Sequence, residues 1–229
     1  MIRGGKSMLK GNGKEYGFVH IKPLENSPLA GQDICILGSS VVYGEASGQE
    51  AVGEYLAARL SAKLTKEAVS GTTLVDDGSD SYIQRMQHKI DSRKHFSLFI
   101  CQLSTNDATA GKPLGEISEG RELKDFDTST VTGAVEYIIC YAKQTWGCPV
   151  VFFTESRYDS AQYDAMVGRL RELRDKWDIG ILDLWDNADF NNITDGERRL
   201  YMADDVHPTK AGYRDWWGPE IEKQLLAFI

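Results

Sequence analysis

The sequence lacks any long hydrophobic run. No stretch approaches the roughly 20 apolar residues that a membrane-spanning helix needs. Met1 to Lys14 is polar and glycine-rich, without the apolar centre of a signal peptide, so a cytoplasmic chain is expected. Positive charge is also scarce: 26 Lys and Arg stand against 34 Asp and Glu, a net charge of −8. A phosphate backbone or an anionic membrane surface is gripped by clustered cations, so neither nucleic acid nor membrane is an expected partner. Cysteine is limited to four residues, with no CxxC pair and no metal-ligand spacing. Cys35 and Cys101 lie in apolar runs, and these two, with Cys140 and Cys148, are expected to be reduced and structural. Histidine is equally sparse. Of the four, His20 lies in an irregular segment, and His88 and His95 lie in polar, Lys- and Arg-rich surroundings, where a solvated surface role is expected.

What the chain does have is enough apolar content, 41% over 229 residues, for one sizeable core. Residues 1–32, with Pro23, Pro28 and several glycines, read as a tail and an extended segment, and the domain proper as 33–229. Short apolar runs predict strands at Asp33 to Leu37, Glu67 to Val69, Phe96 to Leu103, Pro149 to Phe153 and Ile179 to Leu184. Between them lie helical stripes. Val52, Tyr55, Leu56, Leu60 and Leu64 form one, with Ser47 and Glu50 as a capping box ahead of it. Val131 to Ala142 and Tyr163 to Trp177 form two more, and a last helical region after Pro208 is interrupted at Gly218-Pro219. Alternating strands and helices with right-handed crossovers predict a three-layer α/β/α sandwich around a mostly parallel sheet of about five strands.

In such a sheet the ligand crevice lies beyond the carboxyl ends of the strands. There the chain places Ser40 after the first strand, Ser70-Gly71-Thr72-Thr73 after the second, Ser104-Thr105-Asn106-Asp107 after the third, and a loop with Asp204 and His207 after the last. A serine hydroxyl becomes a nucleophile when a base takes its proton, and the resulting oxyanion needs donors. His207 suits the base, since imidazole is the side chain built for proton transfer near neutral pH. Asp204, three residues earlier, can fold back onto the second ring nitrogen. Gly71 offers an unobstructed backbone N–H and Asn106 a side-chain amide.

The blocks Gly38-Ser39-Ser40, Gly71, Ser104-Thr105-Asn106-Asp107 and Asp204-Asp205-Val206-His207-Pro208, in that order, resemble the SGNH hydrolases, or GDSL-like lipases and acylhydrolases, from about Asp33 to the C-terminus. The resemblance implies a flavodoxin-like fold and a triad of Ser40, His207 and Asp204. It also implies an oxyanion hole made by the Ser40 amide, Gly71 and Asn106. Two positions depart from the family pattern. Ser39 stands where an aspartate is usual, and Ser104 where a glycine is usual, so both are candidate shapers of the substrate cleft, as is Tyr43.

The expected activity is hydrolysis of small acyl esters, O-acetyl groups of a carbohydrate first among them, with no metal or organic cofactor. An acylhydrolase of the lipase or lysophospholipase type, an acyltransferase and a non-catalytic carbohydrate-binding domain are the alternatives. Asp183, ending the last predicted strand, is the rival acid. Asp76, Asp77 and Asp80 lack the pattern of a calcium loop and read as a solvated turn. Trp185, Tyr213, Trp216 and Trp217 could face a sugar ring or fill the core; for Trp216 and Trp217 the core is expected.

Overall fold

In the computed structural model, residues 9–229 are described, so the start of the predicted tail lies outside the described residues. The apolar runs form a five-stranded sheet of β1 (Asp33–Gly38), β2 (Lys63–Ala68), β3 (Leu98–Gln102), β4 (Val150–Phe153) and β5 (Gly180–Leu182). All pairings are parallel, in the order β2-β1-β3-β4-β5. The helices that matter for the site are α1 (Ser40–Tyr43), α2 (Val52–Leu60), α3 (Tyr82–Lys89), α4 (Thr105–Thr109), α5 (Val131–Trp146) and α6 (Ala161–Trp177). They are followed by α7 (Ala188–Asn191), α8 (Asp195–Tyr201) and α9 (Gly218–Phe228).

Successive strand residues point to opposite faces, and the apolar runs exploit this on both sides. Cys35, Leu37, Phe99, Cys101, Val150 and Phe152 share a core with α3, α5 and α6. Ile34, Ile36, Leu98, Ile100, Val151 and Phe153 share the other with α2 and α9. The chain leaves β1 for β2 on one side, then returns past β1 to β3 on the other. The carboxyl ends of β1 and β3 therefore flank a topological switch point, the natural ligand crevice of an open sheet.

Several boundaries differ from the sequence-based expectation. β2 begins at Lys63 rather than Glu67, and Leu64 belongs to it rather than to the helical stripe. Ser61 adopts a left-handed conformation (φ 55°) that ends α2 at Leu60. The edge position of β2 then tolerates the polar residues Lys63, Thr65, Lys66 and Glu67 that hid it. The cap of α2 is also displaced. Glu54, not Glu50, takes the capping position, accepting the Ala51 N–H (3.2 Å), while Glu50 accepts the Phe18 N–H and pairs with Lys210.

The last helical region is not interrupted at Gly218-Pro219. Gly212–Trp217 form a π-helix that runs directly into α9, with Pro219 in its first turn. A proline ring crowds the carbonyl four residues back, and the wider turn, in which Gly218 N–H reaches Tyr213 O, makes room for it. Residues 9–32 form three short 3₁₀ turns and loops that send Phe18 and Leu29 into the α2–α9 core. Asn12 donates to Ala46 O (2.7 Å) and accepts the Lys210 N–H (2.9 Å), tying this segment to the two stretches that flank Ser40 and His207 in sequence.

Candidate active site

β1 ends at Gly38, and the chain turns at once into α1, whose first residue is Ser40. The first N–H groups of a helix have no carbonyl one turn earlier, so the Ser40 amide remains available as a donor. Gly38 has to be glycine. A Cβ there would lie 2.2 Å from Val42 Cγ2 and 2.8 Å from Gln102 Oε1.

His207 Nε2 lies 2.8 Å from Ser40 Oγ, and its Nδ1 lies 2.8 and 3.0 Å from the two oxygens of Asp204. With the ring proton on Nδ1, donated to Asp204, Nε2 is left as the acceptor of the serine proton. Asp204 is itself fixed. Its Oδ1 accepts the backbone N–H groups of Val206 (2.9 Å) and His207 (2.8 Å). Partial burial pushes its carboxyl up, but those two bonds and the His207 ring outweigh this and hold the pKa below the ordinary aspartate value. The loop is closed behind by an antiparallel bridge between Met202 and Pro208 and by Ala203 N–H to His207 O (2.8 Å).

The loop after β2 forms the other wall. Gly71 has φ of +80°, a left-handed conformation suited to glycine, and among the described residues no acceptor takes its N–H. Asn106 Nδ2 donates to Thr72 O (2.9 Å), which joins this loop to the start of α4 and leaves the second amide hydrogen for another acceptor. Ser104 caps α4, its Oγ accepting from the N–H groups of Asn106 and Asp107. Asp107, buried, accepts from Leu74 N–H (2.7 Å) and Val75 N–H (3.0 Å) and so pins the same loop. Burial pushes the Asp107 carboxyl up against the opposing pull of those two bonds.

A cleft of about 540 Å³ opens beside Gly71 and Asn106, lined also by Thr72, Thr73, Asp77, Asp80 and Lys112. Of the predicted solvated acidic turn, Asp77 and Asp80 are exposed and line this cleft. Asp77 pairs with Lys112 and accepts from Thr73 Oγ1, and Asp76 accepts from Ser81 and Gln84. Among the described residues no cluster of three or more His, Cys, Asp or Glu could hold a metal ion.

The structure thus brings Ser40, His207 and Asp204 together, and Gly71 with Asn106. Asp183 is engaged elsewhere, paired with Arg171 and accepting the Asp186 N–H. His20, His88 and His95 are exposed. Tyr43 is not among the residues lining the cleft; its ring lies beneath Lys66, whose Nζ is 5.9 Å from the centroid. Ser39 is buried under Gln102 rather than facing the cleft. Trp185, Tyr213, Trp216 and Trp217 are all buried, so the core alternative holds for all four. The four cysteines are buried free thiols.

Three side chains that support the site were not singled out in the sequence. Arg85 Nη2 donates to both Gly38 O and Thr72 Oγ1 (2.9 Å each), linking the strand end before Ser40 to the loop of Gly71. Gln102 and Glu155 form a buried chain behind Ser39. Their signal was a polar residue within or just after an apolar run, and for Arg85 a cation on the apolar face of Tyr82, Ile83 and Met86.

A family described as GDSL-like Lipase/Acylhydrolase matches residues 36–214. No curated protein matches the sequence. Among solved structures, a protein from Lactobacillus plantarum is similar at 19% identity and a TM-score of 0.67, over 87% of this chain and 96% of that one. The acetyl xylan esterase AlAXEase is similar at 15% identity and a TM-score of 0.59, over 86% of this chain and 100% of that one. A family two carbohydrate esterase from Clostridium thermocellum, solved with cellohexaose, is similar at 16% identity and a TM-score of 0.60, over 91% of this chain and 66% of that one. At these identities the likeness is one of fold.

Proposed function

The chain belongs to the GDSL-like lipase/acylhydrolase family, and from that premise we propose that it is a serine esterase cleaving small acyl esters of hydroxylated, carbohydrate-like alcohols. The observation that carries this reading is the continuous hydrogen-bonded run from Ser40 Oγ through the His207 ring to Asp204.

His207 Nε2 takes the Ser40 proton as Oγ attacks the ester carbonyl, and Asp204 stabilises the imidazolium that forms. The carbonyl oxygen, now anionic, is met by the Ser40 and Gly71 amides and by the free hydrogen of Asn106 Nδ2. Collapse of this intermediate expels the alcohol, which takes its proton from His207. Water, deprotonated by His207 in turn, attacks the acyl-serine and releases the acid.

The substrate class is supported by the cleft. Its wall of Thr72, Thr73, Asp77, Asp80 and Lys112 offers hydrogen-bond donors and acceptors to hydroxyl groups, and no large apolar side chain lines it. Two similarly folded proteins carry acetyl xylan esterase and carbohydrate esterase in their names, which favours the same choice. Acetate release from acetylated oligosaccharides, beside hydrolysis of p-nitrophenyl esters of rising chain length, tests it. A steep fall after the shortest esters together with acetate release is expected. Cleavage of long-chain lipid esters with no acetate released would refute it.

A further inference from the structure

Three neighbouring strands, β1, β3 and β4, end side by side, and a buried polar chain joins residues at or just beyond their carboxyl ends. Gln102 closes β3. Its Oε1 accepts from Ser39 N–H (2.9 Å), Ser39 Oγ (3.3 Å) and Tyr82 OH (3.4 Å). Its Nε2 donates to Oε1 of Glu155, two residues beyond β4, at 3.2 Å. Ser39, Gln102 and Glu155 are each at most 1% exposed, so no bulk water shares these bonds. The Glu155 N–H is fixed too, donating to Tyr163 OH (3.0 Å), which donates onward to Leu103 O (3.1 Å).

An amide can face Ser39 with its oxygen or its NH₂, and only one of these fits. Three donors converge on the Gln102 oxygen. The rotated amide would set NH₂ against a backbone N–H that has no other partner. What selects the working orientation is the acceptor at the far end, Glu155 Oε1. The other oxygen, Oε2, is buried with no partner among the described residues. A bare anionic oxygen there would be costly, whereas a proton on Oε2 leaves a neutral acid whose Oε1 still accepts. Burial indeed pushes this carboxyl well above the ordinary glutamate value, against the Gln102 bond, and the charge of Asp204 adds to the rise.

We propose that Glu155 is a positioning residue for the nucleophile: acting through the Gln102 amide it fixes Ser39, whose backbone sets the turn that presents Ser40 to His207. Ser39 O accepts the Tyr43 N–H (2.8 Å) and so closes the single turn of α1 that begins at Ser40. Ser39 stands where an acidic residue would be usual; here a carboxyl group serves the same turn from β4, through an intervening amide. The proposal rests on Ser40 being the nucleophile.

The test is the steady-state hydrolysis of p-nitrophenyl acetate by Glu155→Gln, Glu155→Leu, Gln102→Leu and the double leucine variant. Loss of a buried hydrogen bond to a positioning amide predicts kcat lower by about 10- to 100-fold in each single leucine variant, with KM within about twofold. Glu155→Gln, which keeps a neutral acceptor at the same place, restores kcat to within about threefold of the parent. Because Glu155 acts through Gln102, the double variant is no more than about twofold slower than the slower single one. It also places two apolar side chains together and so serves where a single leucine variant does not fold. Unchanged kcat in the leucine variants, multiplicative losses in the double variant, or a Glu155→Gln enzyme as slow as Glu155→Leu would each overturn the proposal. Parent activity that vanishes in Ser40→Ala supports the esterase reading separately, so an unaffected Glu155→Leu beside it sinks the positioning role alone.

Discussion

Glu155→Gln should make the protein progressively more stable than its parent as pH rises. In the folded parent the carboxyl is buried without a cation and with one oxygen unpartnered, and it holds its proton well above the ordinary glutamate value. In the unfolded chain it releases that proton near pH 4.3, as any glutamate does. Between those two values the native state binds one proton more than the unfolded state. Unfolding free energy therefore falls as pH rises, by about 1.4 kcal/mol per pH unit. The stabilising contribution is whole below the unfolded value and is lost as pH climbs towards the folded one. Glutamine does not titrate, so the variant is spared this loss. As pH rises its advantage should grow by about 1.4 kcal/mol per pH unit, levelling off at the folded pKa of Glu155. The titratable groups electrostatically linked to Glu155 are Asp204, Tyr158, Tyr163 and Tyr213. Asp204 stays ionised and the tyrosines stay neutral in this range, so they cancel in the difference. Urea unfolding of both proteins at three pH values reads it directly. A difference that stays flat would mean an ionised carboxylate in the folded protein, and the neutral-acid account of the Gln102 link would fall.

Other outcomes follow from the same geometry. Asn106→Ala removes one oxyanion donor and should lower kcat by about 100- to 1,000-fold in ester hydrolysis with little change in KM; a loss under tenfold would remove Asn106 from that role. Asp204→Asn should cost at least about 100-fold in kcat, since the amide cannot stabilise the imidazolium. Because Asp204 is held below the ordinary aspartate value, its contribution is complete above the ordinary value and is lost only as pH falls through the lower folded one. The acid limb of kcat/KM above pH 4.5 should then show one ionisation, and a second one in that range would contradict the assignment. Arg85→Met strands Gly38 O and the Thr72 hydroxyl of their shared donor and leaves Glu67 unpaired. A loss of about 2–4 kcal/mol of stability, read by urea unfolding, is expected, with a lower kcat in the folded fraction.

The loop of Asp204 and His207 was legible in the sequence because it is local. Asp204 and His207 are three residues apart and Pro208 follows, so the spacing alone brings carboxylate and ring together. Ser40 was legible because an apolar strand ends just before it, and the strand-end rule then gathered Gly71 and Asn106 without knowledge of distances. What stayed hidden depends on partners far along the chain. Leu64 lies four residues after Leu60 and fits a helical stripe, yet the left-handed Ser61 between them turns it into an edge strand. Glu155 is marked locally only as a polar residue just after an apolar run; its link to Gln102, 53 residues away, and its burial arise only in the assembled sheet. Trp185 and Tyr213, for which a sugar-facing role and a core role stood open, lie in the core, as expected for Trp216 and Trp217. Sequence proximity to the nucleophile, or a flat ring, does not say which way a side chain points.

The central claim is that Ser40 is an activated nucleophile driven by His207. Treatment of the folded protein with a fluorophosphonate probe, followed by peptide mapping, tests it most directly. A single adduct on Ser40 is expected, absent in Ser40→Ala and formed far more slowly in His207→Ala. No adduct on the folded parent protein, or an adduct on another residue, would contradict it.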